Sequence, residues 1–151
     1  MNLKKMLNRN VLQLDLPGSS KQEVIEGLLD ILMRTGKVKD RAAALNALLE
    51  REKKMSTGIQ FGVAIPHAKT DAVDELLACV AIKKEGIDFE ALDGSDCRIF
   101  IMTLSPERRT GPHVQFLAEM SKILQNESLR EKMLHLESEE ALLQLILAPG
   151  I

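Results

Sequence analysis

Apolar residues along the chain alternate between a helical spacing of three to four and short unbroken runs, and each switch marks an element. A brief amphipathic start leads into an alternating run at Val11, Leu12 and Leu14, and Pro17-Gly18 marks a turn. Ser20 and Glu23 have capping-box spacing, and Val24, Ile25, Leu28, Ile31 and Leu32 follow at helical periodicity until Gly36 closes the helix. This predicts a first long helix over 21 to 35. Asp40 is the expected N-cap of a second helix running through Ala44, Leu45, Leu48 and Leu49 and ending near the charged run Glu50 to Lys54, in which Lys53 and Lys54 read as a solvated helix end.

Ser56-Thr57-Gly58 breaks the pattern, and Gly62-Val63-Ala64-Ile65 then reads as a short strand that stops at Pro66 and delivers His67 to a loop. Leu76 to Ile82 and Arg98 to Leu104 are continuous apolar runs, the signature of strands covered on both faces, with a turn signal over Leu92 to Asp96 between them. From Pro112 the spacing returns to helical, with His113, Phe116, Leu117, Met120 and Leu124 on one face, and Leu129 to Leu136 and Glu140 to Leu147 continue it. The consistent solution is an α/β fold, a three-layer sandwich in which a small mixed β-sheet is flanked by helices on both faces. No linker, repeat or low-complexity segment interrupts it, so residues 1–151 are expected to form a single domain.

Composition narrows the function classes. Twenty Lys and Arg against 22 Asp and Glu leave a net charge of −2, without the basic footprint of a nucleic-acid binder, and four Phe are the only aromatics available for base stacking. The apolar runs are far shorter than the roughly 20 residues that span a bilayer, so the chain is not expected to be membrane-embedded. The N-terminal MNLKKMLNRN has no apolar stretch behind its basic residues and does not read as a secretory signal. Cys79 and Cys97 form no CxxC or Cys/His ligand spacing and read as small buried hydrophobes, which fits a cytoplasmic compartment.

Familiar catalytic signatures are missing. Gly58 to Gly62 lacks the Gly-Lys-Ser/Thr ending of a phosphate loop, and no GxGxxG, GxSxG, HxxxH or HExxH occurs, so neither a nucleotide cofactor nor hydrolytic zinc is supported. Two histidines stand in unusual settings. His67 follows Pro66, whose fixed φ and missing N–H end ladder pairing, so its side chain should emerge at the edge of the sheet. His113 opens a helix just behind Pro112, where it either caps a buried anion or donates to a backbone carbonyl. His135, between Leu134 and Leu136, reads as an ordinary surface or boundary residue.

The segment from Arg51 through Ser56-Thr57-Gly58 to Gly62-Val63-Ala64-Ile65-Pro66-His67, together with the second histidine that opens HVQFLAEMSKIL, resembles the fructose/mannitol-type IIA proteins of the bacterial phosphoenolpyruvate-dependent phosphotransferase system, including their nitrogen-related stand-alone regulators. The resemblance covers essentially the whole chain. It implies that His67 is phosphorylated by the phosphocarrier HPr and passes the phosphoryl group to a IIB partner. It also implies that Arg51 stabilises phosphoryl charge and that His113 hydrogen-bonds the phosphoryl group. Ser56 and Thr57 are candidate further donors, with a plain turn as the alternative. No metal or cofactor is implied, because the donor is another protein's phosphohistidine. Phe61 departs from the family, which carries a polar residue there, and Ala68 replaces a common Gly. Phe61 and Ile59 are candidate rim residues for a protein partner, with burial in the core as the alternative. The output is either sugar transport through IIB or a regulatory switch of protein contacts, and at this length the partners are expected to meet the chain in trans.

Overall fold

Local chemistry sets the helix boundaries. In the computed structural model, which describes residues 3–109 and 111–148, a short helix α1 (Leu3–Met6) and a 3-10 turn (Arg9–Val11) lead into strand β1 (Leu12–Gln13). Helix α2 (Lys21–Met33) starts where Ser20 Oγ accepts the Glu23 N–H at 3.1 Å. The Glu23 carboxylate accepts the Ser19 N–H at 3.0 Å, one residue further back than a strict capping box requires. After a turn that ends at Gly36 (φ 71°), Asp40 Oδ1 accepts the Ala43 N–H at 3.0 Å and starts α3 (Arg41–Lys54).

Strands β2 (Val63–Ala64), β3 (His67–Lys69), β4 (Leu77–Ile87) and β5 (Cys97–Ser105) follow, and then α4 (Gly111–Leu124), α5 (Glu127–Met133) and α6 (Glu139–Leu147). Asn126 and Ser138 cap the last two helices. The five-stranded sheet runs β1-β4-β5-β2, with β3 continuing beyond β2 along the same edge of β5. It is mixed, because β4 and β5 are antiparallel while β1 is parallel to β4 and both β2 and β3 are parallel to β5. Residues 77–83 and 99–105 are buried at every position. Successive strand side chains point to opposite faces, so both faces of the sheet are covered. Helix α2 packs on β4, α3 on β3 and α6 on β1. Cys79 and Cys97 are free and buried, and burial pushes their thiols up to about 12 and about 11, so both stay protonated and inert.

The expectation that His67 lies in a loop is corrected: it is the first residue of β3, in register with Thr103 of β5. Pro66 lacks an N–H, but its carbonyl accepts the Thr103 N–H at 3.1 Å, and the ladder resumes one residue later. The proline therefore belongs to a two-residue interruption, Ile65-Pro66, between two strands on one edge of the sheet rather than to the end of pairing.

Ahead of His67 the chain folds into a small hairpin. Ile65 N–H donates to Thr57 O at 2.9 Å, Ile59 N–H to Val63 O at 2.9 Å, and Val63 N–H to Gln60 O at 3.2 Å. The central residues of this turn, Phe61 and Gly62, both have positive φ, 59° and 76°. That is the mirror-image type I′ geometry which suits hairpin twist and prefers Asn-Gly. Gly62 meets it freely. Phe61 does not, since a left-handed conformation destabilises a residue with a Cβ by about 1–2 kcal/mol. The ring is 55% exposed and lies under the Arg130 guanidinium, 4.4 Å from the ring centroid. At an exposed site that contact returns only about 0.5–1 kcal/mol. Phe61→Asn is therefore expected to stabilise the protein by about 0.5–1 kcal/mol, read as a higher urea midpoint with unchanged slope. A lower midpoint would mean that the packing of the ring outweighs the backbone strain.

Candidate active site

Thr103 organises the site. Its backbone pairs with the start of β3, and its hydroxyl lies 3.0 Å from His113 Nδ1, so one residue of a buried central strand ties down both histidines. The His67 and His113 rings sit 5.1 Å apart between centroids, inclined at 36°.

His67 is half-buried, and its Nδ1 lies 2.8 Å from Ile65 O. A carbonyl oxygen only accepts, so Nδ1 carries the proton, and in the neutral ring Nε2 holds the free lone pair. The backbone thereby selects the tautomer that leaves the outer nitrogen nucleophilic. His113, in the first turn of α4, is also half-buried. Burial, followed by electrostatic interaction with the neighbouring His67 and Lys69, holds it below the ordinary histidine value of 6.5. It is therefore neutral at pH 7, and the Thr103 hydroxyl, which both donates and accepts, sets which ring nitrogen carries its proton.

Arg51 lies in the last turn of α3, the helix that packs on β3, with Nη1 donating to Met55 O at 2.8 Å. It makes no hydrogen bond to either imidazole. The Ser56 hydroxyl donates to Phe89 O at 2.8 Å and accepts the Gly58 N–H at 3.1 Å. Thr57 is buried, and both its N–H and its hydroxyl donate to the Glu52 carboxylate, at 2.7 and 2.6 Å. The hydroxyls of Ser56 and Thr57 are thus committed to shaping the turn. Phe61 and the half-buried Ile59 line a cavity of about 220 Å³ between the hairpin and α4, together with Ile65, Leu117 and Leu124. His135 is an exposed surface residue, 3.9 Å from Glu131.

The structure adds residues that sequence reasoning passed over. Thr103 sits among consecutive buried apolar residues, and a polar group 1% exposed must find a partner, which was a usable signal. Glu52 lies within the charged run at the end of α3, yet it is 8% exposed and fully engaged. Met55 and Val114, each 61% exposed, flank the site in sequence beside the Arg51 contact and His113. Nothing in hydrophobic periodicity marks an apolar residue as exposed.

Comparison with known proteins bears on the family and the overall fold. The family model for the phosphoenolpyruvate-dependent sugar phosphotransferase system, EIIA 2, matches residues 5–148. The chain is 44% identical over 130 residues to a "PTS system fructose-specific EIIA component" of Haloferax volcanii, covering 86% of this chain and 84% of that protein. It superposes on the crystal structure of the nitrogen regulatory protein IIA-Ntr from Neisseria meningitidis with a TM-score of 0.87 at 28% identity, covering 95% of this chain and 98% of that one. It also shares its fold with enzyme IIAMTL of Escherichia coli, solved in complex with phosphorylated enzyme IIBMTL, at a TM-score of 0.80 and 23% identity over 93% of this chain and 96% of that one.

The depressed value of His113 has a definite sign in stability. In the window just below pH 6.5 the unfolded chain binds a proton at this residue that the folded protein does not, so lowering the pH through that window favours unfolding. Urea midpoints of the wild type are expected to fall between pH 7.5 and 5.5 more steeply than those of His113→Gln. Parallel profiles would show that His113 is not held neutral by the fold.

Proposed function

The chain belongs to the EIIA 2 family of the phosphoenolpyruvate-dependent sugar phosphotransferase system, and on that premise we propose that it is a phosphohistidine phosphocarrier of the cytoplasm, a single IIA domain that accepts a phosphoryl group from HPr on His67 and passes it to a IIB partner. The observation that carries this reading is the His67 ring: its inner nitrogen is bonded to Ile65 O, and its outer nitrogen is left as a lone pair beside a second, neutral imidazole.

In the proposed transfer, His67 Nε2 forms a bond to phosphorus as the N–P bond of the donor phosphohistidine breaks and the donor imidazole leaves. The reverse roles apply when His67 gives the group to IIB. Such a reaction asks for in-line positioning and stabilisation of charge on the phosphoryl oxygens more than for covalent assistance. His113 supplies a donor when Thr103 donates to its Nδ1, which places the ring proton on Nε2. Arg51 supplies positive charge by exchanging its Met55 carbonyl for phosphoryl oxygens, for which a guanidinium is geometrically suited. Ser56 and Thr57 serve by holding the hairpin. Met55, Phe61 and Val114 form an exposed apolar rim on which partner proteins dock, consistent with the aromatic anchoring of many interfaces.

A regulatory output remains the second reading, favoured by the similarity to the Neisseria meningitidis nitrogen regulatory protein. In that case phosphorylation of the same histidine switches protein contacts instead of feeding sugar transport. Donation from the phosphorylated protein to a panel of sugar-specific IIB domains separates the two, since only the transport reading requires a fast acceptor.

Incubation with phosphoenolpyruvate, enzyme I and HPr is expected to add one phosphoryl group to the wild type and none to His67→Ala, measured by intact mass. Label that persists in His67→Ala would sink the assignment. Phosphorylation adds about −1.5 to −2 charges beside His113, so the His113 value, below 6.5 in the unmodified protein, is expected to rise above it in an NMR titration. His113→Ala is expected to accept the group but to donate it at least about tenfold more slowly, as loss of a transition-state contact reduces rate more than binding. Unchanged donation would make His113 structural.

A further inference from the structure

Glu52 is a buried carboxylate placed one residue after Arg51, and its hydrogen bonds go to the turn that leads to His67. Oε2 accepts the Thr57 N–H at 2.7 Å and Oε1 the Thr57 hydroxyl at 2.6 Å. Oε2 also pairs with Lys21 Nζ at 2.8 Å. Lys21 is the first residue of α2 and stacks over the Phe89 ring at 4.9 Å, so the start of α2 and the end of α3 grip Thr57 together. Thr57 in turn passes its position on: its carbonyl accepts the Ile65 N–H at 2.9 Å, and the Ile65 carbonyl accepts from His67 Nδ1 at 2.8 Å. A continuous hydrogen-bonded path thus joins the Lys21–Glu52 pair to the tautomer-setting contact of the candidate nucleophile.

We propose that Glu52 is a positioning residue for His67, fixing through Thr57 and Ile65 the carbonyl that keeps the imidazole proton on Nδ1 and Nε2 free to react. The proposal rests on His67 being the phosphoryl acceptor. The charge of the carboxylate is essential to it. Two donors on Thr57 and one ammonium require two accepting oxygens, and a glutamine amide offers one oxygen while turning an NH2 group toward the remaining donors. The identity of the residue is thereby explained: a neutral isostere would leave part of a buried cluster unpaired, and the hairpin would shift to relieve it.

The test compares wild type, Glu52→Gln and Thr57→Val, each checked for folding by its two-dimensional NMR spectrum. Ring 15N shifts of His67 in the unphosphorylated proteins report the tautomer, and steady-state uptake from phosphorylated HPr reports the chemistry. In Glu52→Gln the Nδ1–H form of neutral His67 is expected to lose its dominance, and kcat for uptake to fall by about tenfold with KM little changed, since a small displacement of a reacting group is enough for such a loss. Thr57→Val keeps the backbone donor and loses only the hydroxyl, so it should move both readouts in the same direction by less. If Glu52→Gln does not fold, Thr57→Val decides alone. Folded variants with the wild-type tautomer ratio and wild-type kcat would overturn the proposal, as would a loss of stability with no change in tautomer. Failure of wild-type His67 to take up the group would instead refute the functional reading, while the tautomer measurement would still judge the role of Glu52.

Discussion

The pairing of β3 with β5 across Pro66 is the constraint on which the rest of the site depends. His67 stands at the edge of the sheet, half-buried, because the ladder is broken over Ile65 and Pro66 and then restored with the bond from Thr103 N–H to Pro66 O. The same Thr103 presents its hydroxyl to His113. Two imidazoles contributed by distant segments are thereby referenced to one residue of a strand whose neighbours on both sides are fully buried. A close-packed core of this kind resists displacement, so the spacing of the rings is inherited from the sheet rather than from the loops around them.

The hairpin before His67 shows the opposite economy. Its turn forces a left-handed conformation on Phe61, where Asn would be relaxed, and the aromatic that results is exposed beneath a cation from α5. Local strain of this sort persists when the surrounding structure over-determines it. Here the surroundings are specific: Asp93 accepts the Phe61 N–H at 3.3 Å, Gly58 approaches Ala91 so closely that an added Cβ would lie 2.9 Å from its Cα, and Glu52 holds Thr57 from beneath. The strained end of the hairpin carries the exposed Phe61, and its unstrained base leads to the histidine.

What could be read from the sequence follows the range of the interactions involved. Ser20, Asp40 and Gly36 announce helix limits because capping acts within a few residues, and the long apolar runs announce β4 and β5 because burial on both faces leaves no polar positions. His67 and His113 stood out by their prolines. The placement of His67 in a loop failed because the acceptor role of Pro66 O depends on Thr103, which is remote in sequence. The type I′ turn escaped notice because Phe-Gly lacks the usual Asn-Gly signal. Glu52 carries no local signal, because its neighbours Lys53 and Lys54 are exposed, whereas its own side chain turns inward to Thr57 and Lys21.

The electrostatics of the paired histidines tie these features to the proposed chemistry. Two imidazolium rings at this separation would repel, and burial adds to the disadvantage of charging His113, so His113 is held in its neutral form. In the neutral His67 ring, the bond from Nδ1–H to Ile65 O leaves Nε2 as the atom that can attack. In the proposed reaction the negative charge of an arriving phosphoryl group would reverse that balance and favour the protonated form of His113, which would then hold the group more firmly. Its departure would return His113 to the neutral form. In such a cycle the affinity of His113 for a proton would rise and fall with the cargo, so donation would itself re-establish the resting arrangement, with no change in fold required.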